Sequence, residues 1–281
     1  MAVWCLGSIN ADYVYTVPHL VAPGETLAAS AMTSGLGGKG ANQSVAAACA
    51  GADMFHIGAV GPDGDWARQT LAGYGVDVSE VVTVETPTAH AIIQVDAEGE
   101  NAIVIFSGAN LEVPTFAGGT TGDWLMLQNE CGDVVNAAEA AQSRGLKVAY
   151  SAAPFDAVAA RAMLPHIDLL LVNALENAAL EKEIGEVDVA RVVTKGANGA
   201  EWLGVADVPG HPVDPVVDST GAGDCFAGYL IASLDQGLPP QDALQRAVVA
   251  SALQVTKSGT ADAMPEGGMV DEILSTLSSR L

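Results

Sequence analysis

The chain has 281 residues, 49% hydrophobic and 16% charged, which is long enough to bury a substantial core and too apolar for a disordered polymer. Its 34 acids against 11 bases give a formal net charge of −23, the opposite of the basic footprint that nucleic acid or an anionic membrane surface requires. No apolar run approaches the ~20 residues of a membrane span. The start, MAVWCLGSINADYV, lacks a basic segment ahead of a long apolar stretch, so no secretory signal is expected. Cys5, Cys49, Cys131 and Cys225 form no CxxC pair and have no histidine at metal-ligand spacing, which predicts reduced thiols in a cytoplasmic protein.

Residues 2–7 read as a strand that ends in GSINAD. Residues 12–36 carry strand-like pieces around Pro18, Pro23 and Gly24 with no helix between them. A glycine cluster, GLGGKGANQ, then opens an alanine-rich helix over 40–50, followed by a strand at 54–60 and a helix at 65–74. Residues 89–107, AHAIIQVDAEGENAIVIFS, alternate as a hairpin about an acidic Glu98-Gly99-Glu100 turn. Strands at 124–128, 147–151, 167–172 and 189–194 then alternate with helices at 134–144, 155–163 and 174–184. The last third is helical, over 221–235, 240–256 and 268–277. This alternation predicts an α/β fold with a mainly parallel central sheet and helices on both faces. The two irregular stretches, about 11–36 and 88–108, predict a small antiparallel sheet beside it, the usual build of a lid. A single domain over 1–281 is expected, and the open edge of the lid hairpin is one that a second copy could cover.

Polar clusters close the predicted strands. Asn10 and Asp12 follow the first, and a carboxylate or amide there suits two adjacent hydroxyls as well as it suits an Asx turn. Glu130 follows WLMLQ, Asn173 and Glu176 follow IDLLLV, and Thr194, Lys195 and Gly196 close VARVV. GLGGKGANQ is no Walker A loop, because Thr33 stands where that motif has its first glycine and Gly40 follows Lys39. What remains is a helix entry offering backbone N–H groups around Gly38, the Lys39 ammonium and the Asn42 carboxamide to an oxygen-rich ligand, or a tight turn with a surface lysine. In VVDSTGAGDCFAGYL, residues 216–230, small residues leave a helix start bare for an anion, yet Asp224 sits in the same turn. On the motif alone, a helix-capping acid and a catalytic acid are evenly balanced.

Taken together and in order, GSINAD, GGKGANQSVAAACAGADMFHIGAVGPDGDW, NALE and DSTGAGDCFAGYL resemble the ribokinase-like (phosphofructokinase-B type) carbohydrate kinases. PGET at 23–26, AEGEN at 97–101, SGAN at 107–110 and LQNE at 127–130 resemble its ribokinase branch in particular. The resemblance implies ATP-dependent transfer of the γ-phosphate to a sugar hydroxyl, the 5-hydroxyl of D-ribose foremost. Another small sugar, a sugar acid or a nucleoside stays open as acceptor, and so does a non-catalytic sugar-binding or regulatory role on the same scaffold. It implies Asp224 as base and the Gly221-Ala222-Gly223 turn as the cradle for the moving phosphoryl group. Asn10, Asp12, Gly38, Lys39, Asn42 and Glu130 correspond to the sugar set. Asn173, Thr194, Lys195, Gly196, Gly199 and Gly223 correspond to the nucleotide set, with Glu176 arranging Mg²⁺ through water. A monovalent cation, K⁺, is implied beside Asp218, with carbonyls of Thr220, Gln254, Lys257, Gly259 and Ala263. Two departures stand out: Ser151-Ala152-Ala153-Pro154 replaces Asn-Pro-Ala-Pro, and the segment between Trp202 and Val217 is short.

Overall fold

Trp124 and Met126 of WLMLQ join one buried cluster while Leu125 and Leu127 join the other, as alternate residues of a strand covered on both faces must. The structure, a computed structural model, describes residues 1–278, so positions 279–281 of the expected domain lie outside the described residues. In chain order the strands are β1 (Ala2–Leu6), β2 (Asn10–Thr16), β3 (Ala31–Gly37), β4 (Asp53–Val60), β5 (Asp77–Thr83), β6 (Ala89–Val95), β7 (Asn101–Phe106), β8 (Trp124–Gln128), β9 (Lys147–Ser151), β10 (Leu169–Asn173), β11 (Ala190–Thr194), β12 (Ala200–Trp202) and β13 (Ala206–Val208). The helices are α1 (Lys39–Cys49), α2 (Asp65–Gly73), α3 (Val134–Ser143), α4 (Ala157–Met163), α5 (Ala174–Glu183), α6 (Ala222–Asp235), α7 (Pro240–Gln254) and α8 (Gly267–Ser278). Among the described residues no helix is long and apolar enough to cross a membrane.

The main sheet has nine strands in the order β13-β12-β11-β10-β9-β8-β1-β4-β5, parallel from β11 to β5 and antiparallel at the β12 and β13 end. Residues of α1, α6 and α7 fill the cluster on one face, and those of α3, α4 and α5 the cluster on the other. Two glycines set how closely α1 can approach its neighbours. A Cβ on Gly40 would lie 2.4 Å from the Gly7 Cα, and one on Gly228 of α6 would lie 2.5 Å from the Gln43 carbonyl oxygen. Only bare backbone allows both approaches, which seat the start of α1 against the end of β1 and its flank against α6. The cysteines are free, and burial pushes the Cys5 thiol up to about 11, so it behaves as a small core residue.

The second sheet runs β3-β2-β6-β7. Its outer ladders, β2 with β3 and β6 with β7, are antiparallel as expected, while the middle ladder of β2 with β6 is parallel. A parallel pair needs a long crossover, which here is the passage through α1, β4, α2 and β5. The first strand ends at Leu6, earlier than expected, and Asn10 and Asp12 belong to β2 of this lid sheet. Spaced by two, they share one face of it. Strand β5 and the short β12–β13 hairpin went unforeseen: three-residue strands are too short to show a period, and β5 is an edge strand with mixed exposure. Helix α4 starts at Ala157, two residues later than expected, because the Asp156 side chain caps it by accepting from Ala159 N at 2.7 Å.

Candidate active site

Asp224 lies in the first turn of α6 and is 8% exposed. The Asn42 amide donates to its Oδ2 at 3.2 Å and the Gln43 amide donates to its Oδ1 at 3.0 Å. Burial pushes its pKa above the ordinary carboxyl value, against the pull of Lys39 and of the Gln43 and Asn42 hydrogen bonds, while Glu130 adds to the rise. Beside it, Gly221 has φ +79°, a left-handed conformation that suits glycine and turns the chain into the helix. The backbone N–H groups of Gly221 and Gly223 have no hydrogen-bond partner among the described residues, whereas that of Ala222 leans on Ser219 O at 3.3 Å. Nothing lies within 4 Å of where a Gly223 Cβ would be, so the turn is open on that side. An open helix start beside a buried, amide-held carboxylate is a place for an anion next to a base.

Lys39 opens α1 without a side-chain cap of that helix's own, because Gly38, at φ +93°, precedes it. The cap comes from Glu130, whose Oε2 accepts from Lys39 N at 3.0 Å and from Ser8 Oγ at 2.6 Å. The other oxygen of Glu130 faces the Lys39 ammonium at 3.8 Å. Burial works against that ammonium, but the carboxylates of Asp224, Glu130, Glu176 and Asp12 outweigh it and hold its pKa above the ordinary value. Asp12 reaches over bare backbone, since a Cβ on Gly37 would come within 2.0 Å of its Oδ2. Its carboxylate has no hydrogen-bond donor among the described residues. Burial and then Glu130 raise its pKa to about 6, with Lys39 opposing. Asn10 is buried and its Oδ1 accepts from Asn110 at 2.8 Å. Asn42 Oδ1 is buried with no partner. Buried acceptors without donors are costly unless a ligand supplies them, and hydroxyl groups would.

One pocket joins this cluster to the other end of the site: Lys39, Asp224 and Gly223 line it together with Asn173, Glu176 and Thr194. Asn173 and Glu176 form a capping box at the start of α5. Asn173 Oδ1 accepts from Leu175 N and Glu176 N, both at 2.9 Å, and Glu176 Oε2 accepts from Asn173 N at 2.8 Å. Burial raises the Glu176 pKa, opposed by the Asn173 N–H and by Lys39. Its Oε1 has no hydrogen-bond partner among the described residues. Among those residues no cluster of three His, Cys, Asp or Glu could cage a metal. One free carboxylate oxygen suits Mg²⁺, which keeps much of its water and commonly arrives on substrate phosphates. Lys195, Gly196 and Gly199 do not line the pocket. The Lys195 ammonium pairs with Glu201 at 2.7 Å and Asp207 at 3.2 Å on β12 and β13. Gly199 lies against the same hairpin, where its Cβ would meet Val208 O at 2.0 Å.

The residues expected around a monovalent cation do converge, but on one another. Asp218 Oδ1 accepts from Thr220 N at 2.9 Å and its Oδ2 from Gly259 N at 3.2 Å. The Gln254 side chain donates to both Thr220 O and Gly259 O, at 2.8 and 3.1 Å. Lys257 N donates to Gln254 O at 3.1 Å, while the Lys257 and Ala263 carbonyls take no hydrogen bond among the described residues. Three of the five expected carbonyls, those of Thr220, Gly259 and Gln254, are therefore already occupied by protein donors.

Sequence reasoning missed three residues that orient the site. Gln43 holds Asp224, and Gln128 Nε2 in turn donates to Gln43 Oε1 at 2.8 Å. Asn110 donates to Asn10 and accepts from Ile9 N at 3.0 Å. All stand in motifs noted in the sequence (GGKGANQ, LQNE and SGAN), yet a side-chain relay between distant elements leaves no mark in local spacing. His56 is a fourth buried polar group, held neutral because burial lowers its pKa to about 4. Its Nε2 carries the proton, since Gly7 O can only accept, and Ser44 Oγ donates to Nδ1 at 2.8 Å.

The pfkB family carbohydrate kinase model matches residues 2–267. The ribokinase of Haemophilus influenzae is 33% identical over 288 positions, covering 92% of this chain and 94% of that protein. The Cryptococcus neoformans ribokinase in complex with ADP superposes with a TM-score of 0.84 at 32% identity, covering 96% of this chain and 99% of its own. The Arabidopsis thaliana ribokinase complexed with ribose and ATP gives 0.83 at 26% identity, covering 98% and 99%. With the family match running over nearly the whole chain and relatives matched at nearly full length, the chain belongs to the pfkB family of carbohydrate kinases.

Proposed function

We propose that this protein transfers the γ-phosphate of ATP to the 5-hydroxyl of D-ribose. The observation that carries the reading is Asp224, buried between two amides and adjacent to the open first turn of α6. Similarity to ribokinases solved with ADP and with ribose and ATP supports the substrates.

In this reading Asp224 accepts the proton of the attacking hydroxyl as the oxygen closes on phosphorus. A carboxylate with a raised pKa is the better base for that task, and the Gln43 and Asn42 amides keep its oxygens aimed. The N–H groups of Gly221 and Gly223, with the α6 dipole and Lys39, take the charge that builds on the transferring phosphoryl oxygens. Asp12 and Asn42 accept hydrogen bonds from sugar hydroxyls, which supplies the donors their oxygens lack, and Asn10, its Oδ1 held by Asn110, offers its amide to the same ligand. Thr194 and Asn173 border the nucleotide. Glu176 Oε1 would hold Mg²⁺ through water, and the ion would neutralise phosphate charge in a strongly acidic protein. Every residue of β7 is exposed on the edge of the lid sheet, with Val104 at 69% and Ile105 at 59%, so a homodimer closed over that edge is the assembly this surface suits.

An ADP-release assay over pentoses, hexoses, sugar acids and nucleosides tests the reaction. Ribose should give the highest kcat/KM. A different preferred acceptor would replace the substrate assignment, and no turnover on any of them would sink the kinase reading. Sedimentation of the purified protein as a monomer would remove the dimer.

A further inference from the structure

The carbonyls that would face a monovalent cation are already held by a side chain. Gln254, the last residue of α7, is fully buried, and its Nε2 donates to Thr220 O at 2.8 Å and to Gly259 O at 3.1 Å. A carboxamide nitrogen carries two N–H donors, so these two oxygens take both. The orientation is fixed by chemistry: turned over, the group would set its oxygen against two carbonyl oxygens with no proton between. Asp218 takes the N–H groups of the same two residues. Thr220 and Gly259 are therefore each held twice, by N–H through Asp218 and by C=O through Gln254. This double clamp ties the loop that delivers Gly221 to the loop that follows α7.

A cation bound by the carbonyls of Thr220 and Gly259 would compete with Nε2, which already stands within contact distance of both oxygens and directs a proton at each. Gln254 Oε1 is buried without a donor, so the carboxamide spends both of its N–H groups on the two carbonyls and keeps one unmet acceptor among the described residues. Resting on the kinase reading above, we infer that the Gln254 carboxamide takes the place of the monovalent cation and that this enzyme works without potassium. The substitution is not neutral in charge. An amide contributes donors but no net positive charge, which leaves Lys39 and the α6 N-terminus to supply the potential for the phosphates.

The test compares KCl with choline chloride at equal ionic strength, because a chain of formal charge −23 responds to salt in general. Thermal melting of the wild-type protein, with no sugar or nucleotide, should be the same in both salts. ADP release with ribose and MgATP should also be the same within about twofold, as linkage requires when no ion binds. Gln254→Ala leaves both carbonyls without a donor, so it should melt lower in choline and recover melting temperature and turnover in KCl. A wild type that melts higher in KCl, or turns over several-fold faster, overturns the inference. That includes an ion that adds at Oε1 rather than displacing Nε2. A folded Gln254→Ala that stays indifferent to KCl removes Gln254 as the reason. If that variant does not fold, the wild-type comparison decides alone. The melting arm uses neither substrate, so it stands or falls independently of the assigned reaction.

Discussion

The two ends of the pocket are built on opposite principles. Around Asp224, polar side chains are buried, tied to one another across distant elements, and left with acceptors that lack donors: Asp12, and Oδ1 of Asn42. Around Thr194, the polar groups are more exposed and, apart from Glu176 Oε1, already satisfied. Asn173 and Glu176 cap a helix, and Lys195 pairs with Glu201 and Asp207. The first end is preorganised for a small neutral ligand rich in donors, because its unmet bonds are costly until that ligand arrives. The second offers an open shelf, suited to a ligand that brings its own charge and its own ion. Under the proposed reaction, specificity would reside at the Asp224 end.

Breaking that end should cost most. Asp224→Asn keeps the shape but removes the proposed base, so kcat should fall by about 10²–10⁴ while ribose binding by calorimetry survives. Unchanged turnover would take Asp224 out of the mechanism. Lys39→Ala should lower kcat/KM by about 10–100-fold, the value of a hydrogen bond to a charged group. It should also move the acid limb of the rate profile to higher pH. Lys39 pulls the Asp224 pKa down, so without it the base is protonated sooner as pH falls. An acid limb that stays put would separate the two residues.

Asp12 sets binding against stability. Its carboxyl is raised from the ordinary 3.8 to about 6, so between those values the folded protein holds a proton that the unfolded chain has lost. Stability therefore falls as pH rises through that window and stays lower above it. Asp12→Asn should melt higher than wild type at pH 8 and raise the ribose KM by about tenfold. A lower melting point there would mean that Asp12 has a partner in the unliganded protein. At the other end, Lys195→Ala removes only partly exposed ion pairs, each worth about 1 kcal/mol or less. The ATP KM should change by less than about threefold, and a larger rise would move Lys195 into the nucleotide site.

Much of this was legible in the chain itself. Long apolar runs such as WLMLQ and IDLLLV specify buried parallel strands, since only strands covered on both faces tolerate such continuity. Polar residues at their carboxyl ends mark the crevice, and the glycines of GGKGANQ and STGAGD mark bare helix starts. Local composition dictates those features, because each is settled within a few residues of chain. What only the tertiary structure decided is which groups meet. Asn10 and Asp12 act from the lid, because β2 pairs with β3 and not with the main sheet. Glu130 caps a helix that begins at Lys39, Gln43 holds Asp224, and Gln254 closes on Thr220 and Gly259. These pairings join residues far apart in sequence, so their energy depends on backbone approaches that no local pattern encodes.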